Sequence, residues 1–199
     1  MRIIFTRQEI KEIIIATLVL SVAFAIAFSG GFRMDINNLP SAFIFSFIGV
    51  GVGFIAHELI GHKLFAQHFE YHAEFRMWKY GLFLAVIFSF AGFVFAAPGA
   101  VMIGSRMDLW GNEKPITRKK YGIISLAGPL VNVGLALIFL AVNIISQSRL
   151  WELAVSVNVW LALFNMLPIP PLDGSKVFAW DRRVFAVVFA ALIGMFVLL

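Results

Sequence analysis

Residues 57–62 read His-Glu-Leu-Ile-Gly-His and lie inside an otherwise apolar stretch. Imidazole nitrogens bind zinc, and a carboxylate beside a zinc site can act as general base in hydrolysis. A charge held at the centre of a bilayer costs about 2.5 kcal/mol or more, so such groups face a cavity or a partner. A helix end reaching the lipid headgroups accounts well for His68 and His72. It accounts poorly for His57 and Glu58, because nearly two further turns of mostly apolar helix follow them.

The spacing poses a problem. On an ideal α-helix, residues four apart are separated by about 40° and residues five apart by about 140°. His57 and His62 are five apart and diverge, leaving Glu58 and His62 as the same-face pair. Two arrangements remain open. One wide π-type turn, least hindered at Gly61, absorbs the extra residue and returns both histidines to one face. Otherwise the site is inactive, or is rebuilt around Glu58 and His62. HELIGH is similar to the HExxGH motif of the dipeptidyl-peptidase III family, whose two histidines bind zinc across the same insertion, and this resemblance favours the wide turn. In that arrangement Glu58 is no ligand; it is the base that takes a proton from the attacking water and passes it to the leaving amine.

A protease-like zinc site needs a third protein ligand. Residues 165–174 read NMLPIPPLDG, with Asn165 and Asp173 closing an apolar run. Taken alone, Asn, three prolines and Asp-Gly also make a turn at a membrane surface.

The elements that must position these residues are membrane helices. The chain has 199 residues, 61% hydrophobic and 14% charged, with a mean hydropathy of +0.91, more apolar surface than a water-soluble domain of this size can hide. Apolar runs fall at roughly 11–29, 42–66, 81–104, 121–147, 151–168 and 178–199, separated by breakers such as Gly30-Gly31, Asn37-Asn38-Leu39-Pro40 and Gly111-Asn112. The first run lacks a small-residue cleavage site and is expected to stay as a transmembrane helix. There is no cysteine, hence no thiolate metal site. The net charge of +5 comes from residues flanking apolar segments, which fits membrane anchoring and not nucleic-acid binding.

Six full crossings divide the basic residues seven against nine; if 81–104 dips in and returns, the division becomes fourteen against two, with only Arg33 and Arg149 outside. The second pattern obeys the positive-inside bias, and Gly92 and Pro98-Gly99 supply the break. The segment is therefore expected to be re-entrant or broken and to pack beside the site. The expected fold is an all-α polytopic membrane protein with five to six transmembrane helices and a re-entrant or small β-like element after the zinc-motif helix. Residues 1–199 are expected to form a single domain, its catalytic core at about 42–180, set in the cell membrane with the N-terminus cytoplasmic.

An HExxH-like helix, then AGPLVN at 127–132, then NMLPIPPLDG, in that order in an apolar chain, resembles the site-2 protease family of intramembrane zinc metalloproteases. The N-x-x-P-x-x-x-L-D-G motif matches at Asn165, Pro168, Leu172, Asp173 and Gly174. The resemblance implies one zinc ion per chain held by His57, His62 and Asp173, Glu58 as catalytic base, and Asn165 handling the substrate backbone. It further implies a transmembrane protein substrate cut near the cytoplasmic side, and a sheet-like element after the zinc helix, with strands at 74–78 and 98–102, whose open edge could pair with an unwound substrate. The rival readings are a non-catalytic relative that binds membrane partners and a metal transporter, which would need ligands spaced along a path. Gly128-Pro129 and Asn132 read as a close-packing surface against the zinc helix, and Asn143 and Asn158 as interhelical hydrogen-bond formers. Substrate identity and oligomeric state are not encoded legibly.

Overall fold

Thr6 starts the first helix by accepting a hydrogen bond from the Glu9 amide, a side-chain cap that satisfies one of the orphan donors of the first turn. In this computed structural model residues 5–107 and 113–198 are described; the expected linker at Gly111-Asn112 lies outside them. From Thr6 the chain runs through α1 (Arg7–Phe28), α2 (Leu39–Ala56), a π-helical segment (His57–Leu64) and α3 (Phe65–His68), the last three forming one continuous helix. There follow β1 (His72–Met77), α4 (Lys79–Ser89), β2 (Gly99–Gly104), the two-residue strands β3 (Arg106–Met107) and β4 (Glu113–Lys114), α5 (Arg118–Ser146), α6 (Arg149–Asn165), α7 (Asp173–Trp180) and α8 (Arg182–Leu198).

Among the described residues three helices are long and apolar enough to cross a membrane: Arg7–Phe28, Leu39–His68 and Arg118–Ser146. At 1.5 Å per residue, the 17 residues of α6 and of α8 span about 25 Å each, short of a typical hydrocarbon core of about 30 Å. The expected single run at 178–199 is in fact divided. The Asp181 carboxylate accepts from the amides of Arg183 and Val184, so it caps a fresh helix where a continuous one was expected.

The segment 81–104 is broken, as the glycines and proline foretell. The 11-residue α4 ends in a turn near Gly92, and the chain returns as β2, antiparallel to β1 with Met77 opposite Gly99. It therefore comes back to the level at which it left. The tip of this excursion reaches the far end of α1, where the Phe32 amide donates to the Phe90 carbonyl. On the return path the Trp160 indole donates to the Val94 carbonyl, which satisfies irregular backbone that lipid could not.

α1 fixes the sheet. Glu9 and Glu12 accept from the main-chain amides of Phe75 and Met77, at 3.0 and 2.9 Å, so the outer edge of β1 is occupied by carboxylates. The second Glu9 oxygen is paired with Lys63 at 2.5 Å, and both side chains are almost fully buried. The Thr6 hydroxyl bonds Glu74 and, with Arg76 beside it, holds that carboxyl below the usual range. α2 packs against α1 and α6, and α5 forms a hairpin with α6. The Asn143 side chain accepts from the Ser148 amide, so it closes the turn of this hairpin and is not the bridge between helix faces expected of it.

Candidate metal centre

In a helix with i→i+5 hydrogen bonds, residues five apart become near neighbours, and the π segment spans the whole of His57–Leu64. The Nε2 atoms of His57 and His62 consequently lie 3.0 Å apart, with ring planes at 84°. The wide turn has room because Gly61 abuts Gly128 of α5, where any Cβ would overlap the Gly128 backbone. Ile60, half exposed, is the residue of the segment turned outward.

Asp173 arrives from the other end of the chain. A Cβ on Gly174 would overlap the Met166 carbonyl, so this glycine lets the start of α7 fold tightly onto the end of α6. That brings Asp173 Oδ2 to 3.0 Å from His62 Nε2 and 3.3 Å from His57 Nε2. All three side chains are buried.

Main-chain carbonyls fix the orientation of the polar side chains around this cluster. The Ala154 and Gly53 carbonyls can only accept, so they orient the amides of Asn158 and Asn132 that donate to them. Asn132 also donates to Asn158 Oδ1, which leaves Asn132 Oδ1 to accept from His57 Nδ1 at 2.5 Å. The Ile124 carbonyl likewise accepts from His62 Nδ1 at 2.9 Å. Both imidazoles therefore carry a proton on Nδ1, and in the neutral form each turns an Nε2 lone pair inward, toward the other ring and toward a carboxylate oxygen. Three acceptors at this spacing with no hydrogen between them repel one another unless a cation lies among them. Ligands of a tetrahedral zinc at about 2.0–2.1 Å are separated by roughly 3.3 Å, close to the observed distances. The donor set fits zinc, and the Asn132 and Ile124 contacts are the outer hydrogen bonds that orient metal-binding histidines.

Glu58 points beside this cluster into a cavity of about 320 Å³ whose wall includes His62, Val101, Asn165, Asp173 and Lys176. Its Oε2 is buried without a hydrogen-bond partner among the described residues, and the Val101 main chain lies against the carboxylate. Since β1 pairs with Ala100, Met102 and Gly104 through its inward residues, Gly99, Val101 and Ile103 turn their main-chain groups away from β1. These three residues line the cavity, so a strand edge with no further strand partner among the described residues faces Glu58. Asn165 stands on the same wall, its amide donating to Leu161 of its own helix. Lys176 bonds the second oxygen of Asp173 at 3.1 Å. Burial is the largest single influence on the Lys176 ammonium and pulls it down; Asp173, Tyr121 and Glu58 together outweigh it, and the net direction is upward.

Four residues escaped the sequence reading. Asn132 reads there as packing, yet it orients His57. Lys176 follows Asp173 by three positions, the spacing of neighbours on a helix, and that was the available signal. The Lys63–Glu9 pair joins residues 54 positions apart and has no local signature. Asn158 does bond across helices, to Asn132. Among the described residues His57, His62 and Asp173 are the one group of this kind that could hold a metal ion, a cluster and not a path.

Helices long and apolar enough to cross a membrane, packed around a buried His-His-Asp cluster that could hold a metal ion, with the Glu58 carboxylate beside it, make an arrangement suited to a metallohydrolase. The chain is 39% identical over 196 residues to a Methanocaldococcus jannaschii protein named "Putative zinc metalloprotease MJ0611", and the match covers 96% of this chain and 93% of the relative. The chain belongs to the zinc metalloprotease family of that relative. No family model matches the chain, and no solved structure matches it.

Proposed function

We propose that the protein is an intramembrane zinc endopeptidase of the site-2 protease type, cutting a transmembrane segment of another protein near its cytoplasmic side. The observation that carries this reading is the open edge of β2 running past Glu58 inside one cavity. A transmembrane helix must be unwound before its peptide bonds can be attacked, and an extended segment laid on this edge gains main-chain hydrogen bonds in compensation.

His57, His62 and Asp173 hold the metal in this proposal. Bound zinc would supply a Lewis acid that polarises the scissile carbonyl and makes water a competent nucleophile at neutral pH. Glu58 takes a proton from the water whose oxygen bonds the carbonyl carbon, then returns it to the nitrogen as the C–N bond breaks. Asn165, on the cavity wall, orients the substrate backbone. Wide-turn geometry keeps Glu58 out of the ligand set and free for this work.

Topology supports the placement. The three long helices, with α6 and α8 as two shorter spans, make five crossings, and the α4–β2 excursion returns to its starting side. The N-terminus and the basic Arg118-Lys119-Lys120 run are then cytoplasmic. Gly128, which touches the histidines, lies ten residues and about 15 Å along α5 from Arg118, so the site sits within the membrane but toward that face. The test is to reconstitute the zinc-loaded protein in bilayers with a labelled single-span helical peptide. Cleavage within the span, in its cytoplasmic half, is expected; cleavage of soluble peptides alone would remove the intramembrane reading, and zinc binding without any cleavage would favour a non-catalytic membrane partner.

A further inference from the structure

Asp173 offers two equivalent oxygens, yet only Oδ2 faces the histidine nitrogens, 3.0 and 3.3 Å away. Oδ1 has one hydrogen-bond partner among the described residues, the Lys176 ammonium at 3.1 Å. Exposed charge pairs at this helical spacing are weak. This one is different in its surroundings: the Asp173 side chain is 8% exposed and that of Lys176 19%. The ammonium also sits 5.4 Å from the centre of the Tyr121 ring. Tyr121 and Lys176 are brought together because Gly122 allows the Trp180 ring to lie directly on α5.

We propose that Lys176 is a positioning residue for the metal site: by occupying Oδ1 it fixes the Asp173 carboxylate so that a single oxygen is presented to the cation. A carboxylate released from this contact can rotate, leave the histidine pair, or turn both oxygens inward and fill the position that a catalytic site keeps open. The lysine acts through Asp173 and needs only its fixed positive charge and its reach. The proposal rests on the assignment of Asp173 as a metal ligand, and it is independent of whether a transmembrane peptide is the substrate.

The experiment uses the full chain in lipid nanodiscs. Zinc affinity is measured by chelator competition, and cobalt(II) is substituted to read coordination from its visible absorption. Outer contacts of this kind are worth about 10- to 100-fold in metal affinity, so K176M is expected to bind zinc at least about tenfold more weakly. Its cobalt spectrum should lose intensity as four-coordination gives way to five, and K176R should restore both signals. Should K176M not fold, K176Q takes its place with the same expected outcomes. Affinity equal to or tighter than that of the unaltered protein, with an unchanged cobalt spectrum, would overturn the proposal, and so would a K176R protein as defective as K176M. Failure of the peptidase reading would look different: the unaltered protein would bind zinc at full affinity and cut nothing.

Discussion

His57 Nε2 and His62 Nε2 face each other at 3.0 Å although five positions separate the two residues. The π segment makes this possible, and a π turn is in effect a one-residue insertion carried inside an α-helix. Removing the outward-facing Ile60 should give an ordinary helix with the histidines four apart. Zinc stoichiometry in the Ile60 deletion is expected to stay at that of the unaltered protein, whereas a second inserted residue after Leu59 should abolish binding. Loss of zinc in the deletion would show that the wide turn itself, and not the pairing it produces, is needed.

Gly128 sets the space in which a cation would sit. A Cβ there would be 2.6 Å from His62 Nε2 and 2.7 Å from His57 Nε2. Gly128→Ala is expected to lose metal binding while costing about 1–3 kcal/mol of stability, the usual range for one methyl group too many. Metal content beside a thermal melt checks this, and normal metal content in the variant would contradict it.

Asn132 holds His57 in the tautomer that leaves Nε2 free. Replacing it with alanine should weaken zinc binding by about 10- to 100-fold. The decrease should exceed that for Asn158→Ala, which touches the histidine only through Asn132. Equal affinities in the two variants would refute this order.

Lys63 and Glu9 form a pair out of contact with water, next in sequence to a histidine of the site. Breaking such a pair from one side leaves a buried charge and costs about 3–5 kcal/mol. Lys63→Met should therefore destabilise strongly, and Lys63→Met/Glu9→Gln should recover much of the loss, since glutamine can still accept from the Phe75 amide. Denaturation midpoints in detergent would distinguish this from a pair whose two halves act independently.

What the sequence made legible was polarity out of place. HELIGH and LDG stand out because charged groups are rare in so apolar a chain, and the five-residue spacing forced the question that the π segment answers. The return of 81–104 was readable from Gly92, Pro98-Gly99 and the distribution of arginine and lysine, since the positive-inside bias acts on the chain as a whole. Asn132 and Lys63 were not legible in their roles. Their meaning depends on helix rotation and on which partner approaches, and neither is encoded nearby. The break at Asp181 was readable in principle: an aspartate preceding Arg-Arg and an apolar run is a helix cap, but hydropathy alone carried the run across it.

The central claim is that Glu58 performs hydrolysis beside a metal it does not bind. The most direct measurement is the cleavage rate of a bilayer-embedded helical substrate by the unaltered protein and by Glu58→Gln, with bound zinc determined in the same samples. A base of this type contributes about 10²- to 10⁴-fold, so the variant should retain its zinc and lose at least about 99% of the rate. Equal rates in the two proteins at equal zinc content, or loss of zinc from Glu58→Gln, would contradict the account.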